Sequence, residues 1–288
     1  MMLRKRALIV ATRDYDDPKF PSLPSVTADA EALVRVLGNP RIGEFEVEVL
    51  YDQPTLEIKK AIERFFSSAH RDDYLLLHFS CHGYRTPSNR LYFLTKSTES
   101  DLLASTAIEA DFVNDQMVQS PSRRIILWLD CCYSGGFTRG FQSRSGSADS
   151  VDVDKSFSGK GHLVMTASTA LQFSYERETK EIFNLKVEQP ALFTGAIVHG
   201  LETGEADRDE DGLVSMNELY DYVFDRVKGI TPHQTPTLSG DRTQGTIYVA
   251  RSPRPSTVGL SQLELERKID DQVGFSFAVP KGWEERRM

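Results

Sequence analysis

Two apolar runs of this chain end in side chains able to do nucleophilic chemistry. LLLHFS, residues 75–80, runs into Cys81-His82-Gly83, and IILWLD, residues 125–130, runs into Cys131-Cys132-Tyr133-Ser134-Gly135-Gly136. A thiolate attacks a carbonyl, an imidazole delivers a proton to the leaving amine, and backbone N–H groups beside small residues approach the developing oxyanion. Gly83 and the Ser134-Gly135 turn supply such backbone. A free cysteine commonly serves as a small buried hydrophobe, and that reading suits Cys81 and Cys131. Cys132 with His82 is the more specific pair, because each closes a buried run and each precedes a glycine-containing turn. Strand alternation points only one of Cys131 and Cys132 toward a cleft.

For thiol and imidazole to meet, the two runs must be parallel neighbours in one sheet. The sequence predicts strands over Arg6–Ala11, Glu46–Tyr51, Tyr74–Ser80, Arg124–Asp130, His162–Ala167 and Gly245–Ala250. Helical periodicity fills the gaps at Ala28–Leu37, with Thr27 as N-cap, and at Leu56–Ala69, Ile108–Gln119, Ala191–Leu201 and Met216–Val227. Alternating strands and helices imply an α/β fold, a mostly parallel six-stranded sheet between helical layers, with sites at the carboxyl ends of the strands. Residues 1–251 form this domain. Residues 137–161, rich in Gly, Ser and charge, read as a long loop. Residues 252–288 read as a linker, a short amphipathic run over Leu260–Ile269 and the start of a truncated segment, FSFAVPKGW.

A second constellation is DRDEDGLVSMNE, residues 207–218. Its spacing fits a calcium loop, with Asp207, Asp209, Asp211, the Leu213 carbonyl, Ser215 and Glu218 as ligands. The incoming helix stops at Thr203-Gly204, which departs from a paired-helix hand. The competing reading is an acidic turn whose carboxylates cap the next helix. His70, His162, His199 and His233 show no metal-ligand spacing; His78 reads as a packing residue.

Composition bounds the rest. The 288 residues carry 34 Lys+Arg against 42 Asp+Glu, a net charge of −8, with 40% hydrophobic residues. That is enough apolar material for a full core. A chain of pI near 5.4 with scattered basic residues lacks the concentrated positive field of a nucleic-acid binder. Three cysteines make no disulfide framework and suit a reducing compartment. The apolar run at Ala7–Ala11 is too short for a secretory leader, and no run would span a membrane. The expectation is a soluble, cytoplasmic protein with no membrane partner.

FSCHGY and LDCCYSGG resemble the histidine and cysteine motifs of the caspase-like cysteine peptidases, the clan of caspases and metacaspases. The 50 residues from His82 to Cys132 match the spacing common in caspases. RALIVATRDYDDP, RRIILWLDCCYSGGF, GKGHLVMTAS and GEADRDEDGLVSMNELYDYVFDRV are similar to bacterial caspases of the effector-associated type, over about residues 6–251. The resemblance implies a caspase-like three-layer α/β/α sandwich, with Cys132 as nucleophile, His82 as general acid/base and backbone amides of Gly83 and Cys132 as oxyanion hole. It implies a specificity pocket lined by Asp29, Ser80 and Asp130, whose carboxylates would select Arg or Lys in protein and peptide substrates. It also implies self-cleavage in the 137–161 loop, at Arg139, Arg144, Lys155 or Lys160, and an activating partner in bacterial signalling or defence. The chemistry needs no cofactor; calcium is the one candidate. Calcium sites known in metacaspases lie elsewhere in the fold. The sequence departs from the family pattern at Cys81, where a glycine is usual, and at Cys131. Two other readings are a catalytically silent scaffold or calcium-responsive interaction module, and a Cys/His hydrolase of non-peptide acyl substrates.

Overall fold

The computed structural model describes residues 4–86, 88, 90–133, 157, 162–167, 191–231, 234–241, 246–256, 265–270 and 275–280. Among them the elements run β1 (Lys5–Ala11), α1 (Ser25–Leu37), β2 (Glu46–Tyr51), α2 (Thr55–Ser67), β3 (Tyr74–Arg85), β4 (Leu91–Phe93), α3 (Leu103–Thr106), β5 (Ile108–Glu109), α4 (Ala110–Gln119), β6 (Arg124–Tyr133) and β7 (His162–Thr166). They continue with α5 (Leu192–Thr203), β8 (Leu213–Ser215), α6 (Met216–Ile230), β9 (Thr237–Asp241), β10 (Tyr248–Arg251), β11 (Leu265–Asp270) and β12 (Phe275–Pro280). The main sheet has the order β2-β1-β3-β6-β7-β9, with β4 and β5 added beyond the end of β1. Its first five strands are parallel, and β9 joins β7 antiparallel.

The strand sequences alternate into two cores. Ala7, Ile9, Leu76, Ile126, Trp128 and Met165 face α1, α5 and α6, while Leu8, Val10, Leu75, Leu77, Ile125 and Leu127 face α2 and α4. β3 and β6 are buried on both faces, which is why they read as continuous apolar runs. This is the expected three-layer α/β/α sandwich.

Four sequence expectations are corrected. The sixth strand of the sheet is β9, not Gly245–Ala250. The apolar IYVA stretch instead forms β10, which pairs with β8 and buries Ile247, Val249 and Ala250 against α5 and α6. An edge strand such as TLSGD needs little apolar content, so its signal is weak. α1 begins at Ser25 after Pro24, whose fixed φ of −60° already suits a helix, and Thr27 is therefore not its N-cap. Ile108 and Glu109 form β5 rather than the first turn of α4. Leu265–Asp270, overlapping the amphipathic run, forms β11 and pairs antiparallel with β12, so FSFAVP is the second strand of a pair rather than the first strand of a new segment.

One buried group makes the fold sensitive to acid. His78, in the middle of β3 beside Trp128 on β6, is fully buried, and neither ring nitrogen has a hydrogen-bond partner. Burial lowers its pKa to about 3. The unfolded chain binds the proton near 6.5, so stability is lost as pH falls below that value. This residue alone costs about 2 kcal/mol between pH 7 and pH 5. In urea melts, His78→Leu is expected to remove that part of the acid slope, so the variant gains more over the wild type at pH 5 than at pH 7. An equal gain at both pH values contradicts the assignment.

Candidate active site

Beyond Ala11, β1 ends, but β3 and β6 continue. Residues 81–83 of β3 pair with 131–133 of β6 in parallel register, and 83–85 pair antiparallel with β4 on the other side. This register sets the Cα of His82 directly opposite that of Cys132, and Ser80 opposite Asp130. Gly83 therefore sits inside a strand, opposite Tyr133 and Phe93, and not in the turn expected for it. Ser134 and Gly135 lie outside the described residues, as does the proposed self-processing loop 137–161 apart from Phe157.

Sheet alternation assigns positions 80, 82, 130 and 132 to the α1/α5/α6 face and positions 81 and 131 to the other. Cys81 and Cys131 do pack into the α2/α4 core, with their sulfurs 3.5 Å apart in a thiol–thiol hydrogen bond and no disulfide between them. The side chain that Cys81 adds where a glycine is usual thus fills the far core rather than the cleft. Burial pushes the Cys131 thiol well above its ordinary pKa, which makes it a poor nucleophile.

His82 is held from the chain that leaves β1. Its Nε2 lies 2.8 Å from the Pro21 carbonyl, its backbone N–H donates to the Tyr15 hydroxyl at 2.9 Å, and the Tyr15 ring is tilted against the imidazole at 5.0 Å. The carbonyl can only accept, so Nε2 carries the hydrogen and Nδ1 is the ring's basic nitrogen. Burial lowers the His82 pKa, and the Pro21 carbonyl partly offsets this. Loop 12–24 is itself pinned. Asp52 accepts from Arg13 and Asp14 N–H, Asp17 accepts from Ser100 N–H, and Leu23 N–H bonds the Arg13 carbonyl. Sequence reasoning missed Pro21 and Tyr15. A carbonyl donated by a loop has no side-chain signature.

The three residues expected to form a specificity pocket lie together. Asp29, buried in α1, accepts from Ser80 Oγ at 3.3 Å and from Ala191 N–H at 2.5 Å. Asp29 therefore faces the sheet rather than capping the first turn of its helix. Asp130 accepts from the buried Thr194 hydroxyl at 2.6 Å. Ala191 and Thr194 open α5, so its N-terminal dipole faces the two carboxylates. Thr194 was not singled out from sequence.

The calcium-loop residues lie at the opposite end of α5. The carboxylates of Asp207, Asp209 and Asp211 converge, with one oxygen from each within 4.8 Å of the others. Ser215 and Glu218 form a reciprocal cap on α6, and Leu213 opens β8. Among the described residues no helix is long and apolar enough to cross a membrane.

The caspase domain family matches residues 4–248 of this chain. No curated protein matches it in sequence. Among solved structures, one described as pro-sf-caspase-1 is 17% identical with a TM-score of 0.59, covering 85% of this chain and 90% of that one. Protein GSU0716 from Geobacter sulfurreducens is 17% identical with a TM-score of 0.58, covering 88% of this chain and 99% of that one. Caspase-1 from Spodoptera frugiperda is 16% identical with a TM-score of 0.58, covering 85% and 91%. At such identities these neighbours speak to the fold, which is the same sandwich. With most of its length matched by that one domain, the chain belongs to the caspase domain family of cysteine peptidases.

Proposed function

We propose that this chain is an endopeptidase that cuts after Arg or Lys through a Cys132–His82 dyad. The observation that carries the reading is a pair of carboxylates behind the dyad: Asp130, two positions before Cys132 on the same face of the sheet, and Asp29, which α1 holds against Ser80, two positions before His82. Both carboxylates accept hydrogen bonds from N–H or O–H donors, which suits the anion, and a cationic side chain is its natural complement. In the reaction the Cys132 thiolate attacks the scissile carbonyl, and the amine leaves with a proton from His82. Water then attacks the thioester and gives up a proton to the imidazole, releasing the carboxylic acid and the Cys132 thiolate and so restoring the thiolate–imidazolium pair. The Pro21 carbonyl keeps the ring oriented through both steps. Backbone N–H groups of Gly83 and Cys132 are the oxyanion donors in this reading.

A signalling or defence role, a bacterial and cytoplasmic setting and control by a partner protein belong to the same proposal. The motif resemblance and the unpaired thiols of Cys81 and Cys131 support it. The test is hydrolysis of fluorogenic peptides ending in Arg, Lys or Asp. Cleavage after Arg and Lys is expected. Preferential cleavage after Asp, or turnover that survives loss of Cys132, overturns the reading.

A further inference from the structure

The structure assigns a calcium site to the loop between α5 and α6, with the oxygens of Asp207, Asp209 and Asp211 as its core and the Leu213 carbonyl, Ser215 and Glu218 completing it. Two independent features carry this. The three carboxylates converge within 4.8 Å, a like-charge grouping that a bound cation would stabilise. Asp207, only 4% exposed, also keeps Oδ1 buried with no hydrogen-bond partner. A buried carboxylate oxygen left unpaired is costly, and a cation at the convergence point supplies the missing partner.

The frame of the site is already built. Asp207 Oδ2 accepts from Gly212 N–H at 3.2 Å, Asp209 from Asp211 N–H and Asp211 from Leu213 N–H. Gly212 has φ +91°, which a side chain would strain. Glu218 reaches back to the N–H groups of Arg208, Asp209 and Ser215, and a carboxylate retains acceptor capacity beyond three such bonds. Arg208 is turned outward to Asp225 at 2.5 Å, away from the convergence point. Every donor is oxygen, which suits a hard cation and not zinc. Six oxygen ligands spread over a twelve-residue loop suit calcium better than the strict octahedron of magnesium.

The loop also differs from a paired hand in its neighbour. The strand that would join a sister loop is β8, and it pairs with β10 near the end of the domain. The segment after β10 then lies along the loop: Ser252 N–H donates to the Gly212 carbonyl, Ser256 Oγ to the Glu210 carbonyl and Arg254 Nε to the Thr203 carbonyl. The bound ion therefore fixes the exit of the C-terminal tail as well as the α5–α6 connection.

Calorimetric titration of the full chain with calcium and with magnesium, followed by thermal unfolding and limited trypsin digestion, tests this independently of any peptidase activity. One calcium per chain is expected, with Kd of about 10⁻⁷ to 10⁻⁴ M, from the sensor range up to the edge of the extracellular one. Free calcium at a hundredfold excess over Kd, worth about 2.7 kcal/mol, is expected to raise Tm by roughly 5–10 °C. Calcium should slow tryptic cleavage after Arg251. Asp207→Asn and the exposed Asp209→Asn should each weaken binding at least about tenfold, while Asp225→Asn leaves it unchanged. If Asp207→Asn fails to fold, Asp209→Asn decides. No binding to wild type at millimolar calcium, tighter binding of magnesium, or undiminished binding by Asp209→Asn overturns the assignment. Binding without protection at Arg251 overturns the role given to the tail.

Discussion

Cys132→Ala is expected to lower kcat for an Arg-ending peptide on the order of 10⁴- to 10⁶-fold. Alanine removes the sulfur that forms the thioester and leaves the strand register that pairs positions 82 and 132 intact. His82→Ala should cost about 10²- to 10⁴-fold, the usual contribution of a positioned acid/base. The double variant should be no slower than Cys132→Ala alone, because groups that act as one unit do not add. Cys131→Ala is the discriminating control. Its thiol lies in the α2/α4 core against Cys81 and the Phe79 carbonyl, so its loss costs packing and should change kcat/KM less than about tenfold. A Cys131→Ala variant that is folded, by circular dichroism, yet as inactive as Cys132→Ala would reassign the nucleophile.

Asp130→Asn is the second large effect. The substitution keeps the shape and the acceptor for Thr194 but removes the charge. Truncating one partner of a buried charge pair costs about 2–5 kcal/mol, so kcat/KM for Arg and Lys substrates should fall by roughly 30-fold to several thousandfold. A substrate with a neutral residue at the cleaved position should be much less affected. That split between substrates is what a structural role would not produce. Thr194→Val, which removes the hydroxyl that holds Asp130, should move the same ratio in the same direction by a smaller factor. An Asp130→Asn enzyme that loses the same factor on every substrate would place Asp130 in support of the fold and not in the pocket.

The sequence alone was sufficient for the layered α/β architecture, because β3 and β6 are buried on both faces and their apolar runs carry that fact directly. It also singled out His82 and Cys132 as candidates, since reactive side chains closing two such runs are a local pattern. The convergence of Asp207, Asp209 and Asp211 was legible for the same reason: these carboxylates come from neighbouring positions of one short segment. Tertiary structure decided what depends on distant segments. The register that sets His82 opposite Cys132 follows from strands 50 residues apart aligning their cores. The face to which Cys81 and Cys131 belong follows from that register and from which helices cover each side. The Pro21 carbonyl on His82 comes from a loop whose path is fixed by Asp52 and Ser100, and backbone acceptors leave no trace in residue type. Thr194 reaches Asp130 from 64 positions away, as an ordinary hydroxyl at the start of an apolar helix. The same holds for the edge of the sheet. β9 completes it with a weakly apolar segment, while the more apolar β10 is drawn to α5 and α6, because burial is decided by what packs against a strand and not by how apolar it looks in isolation.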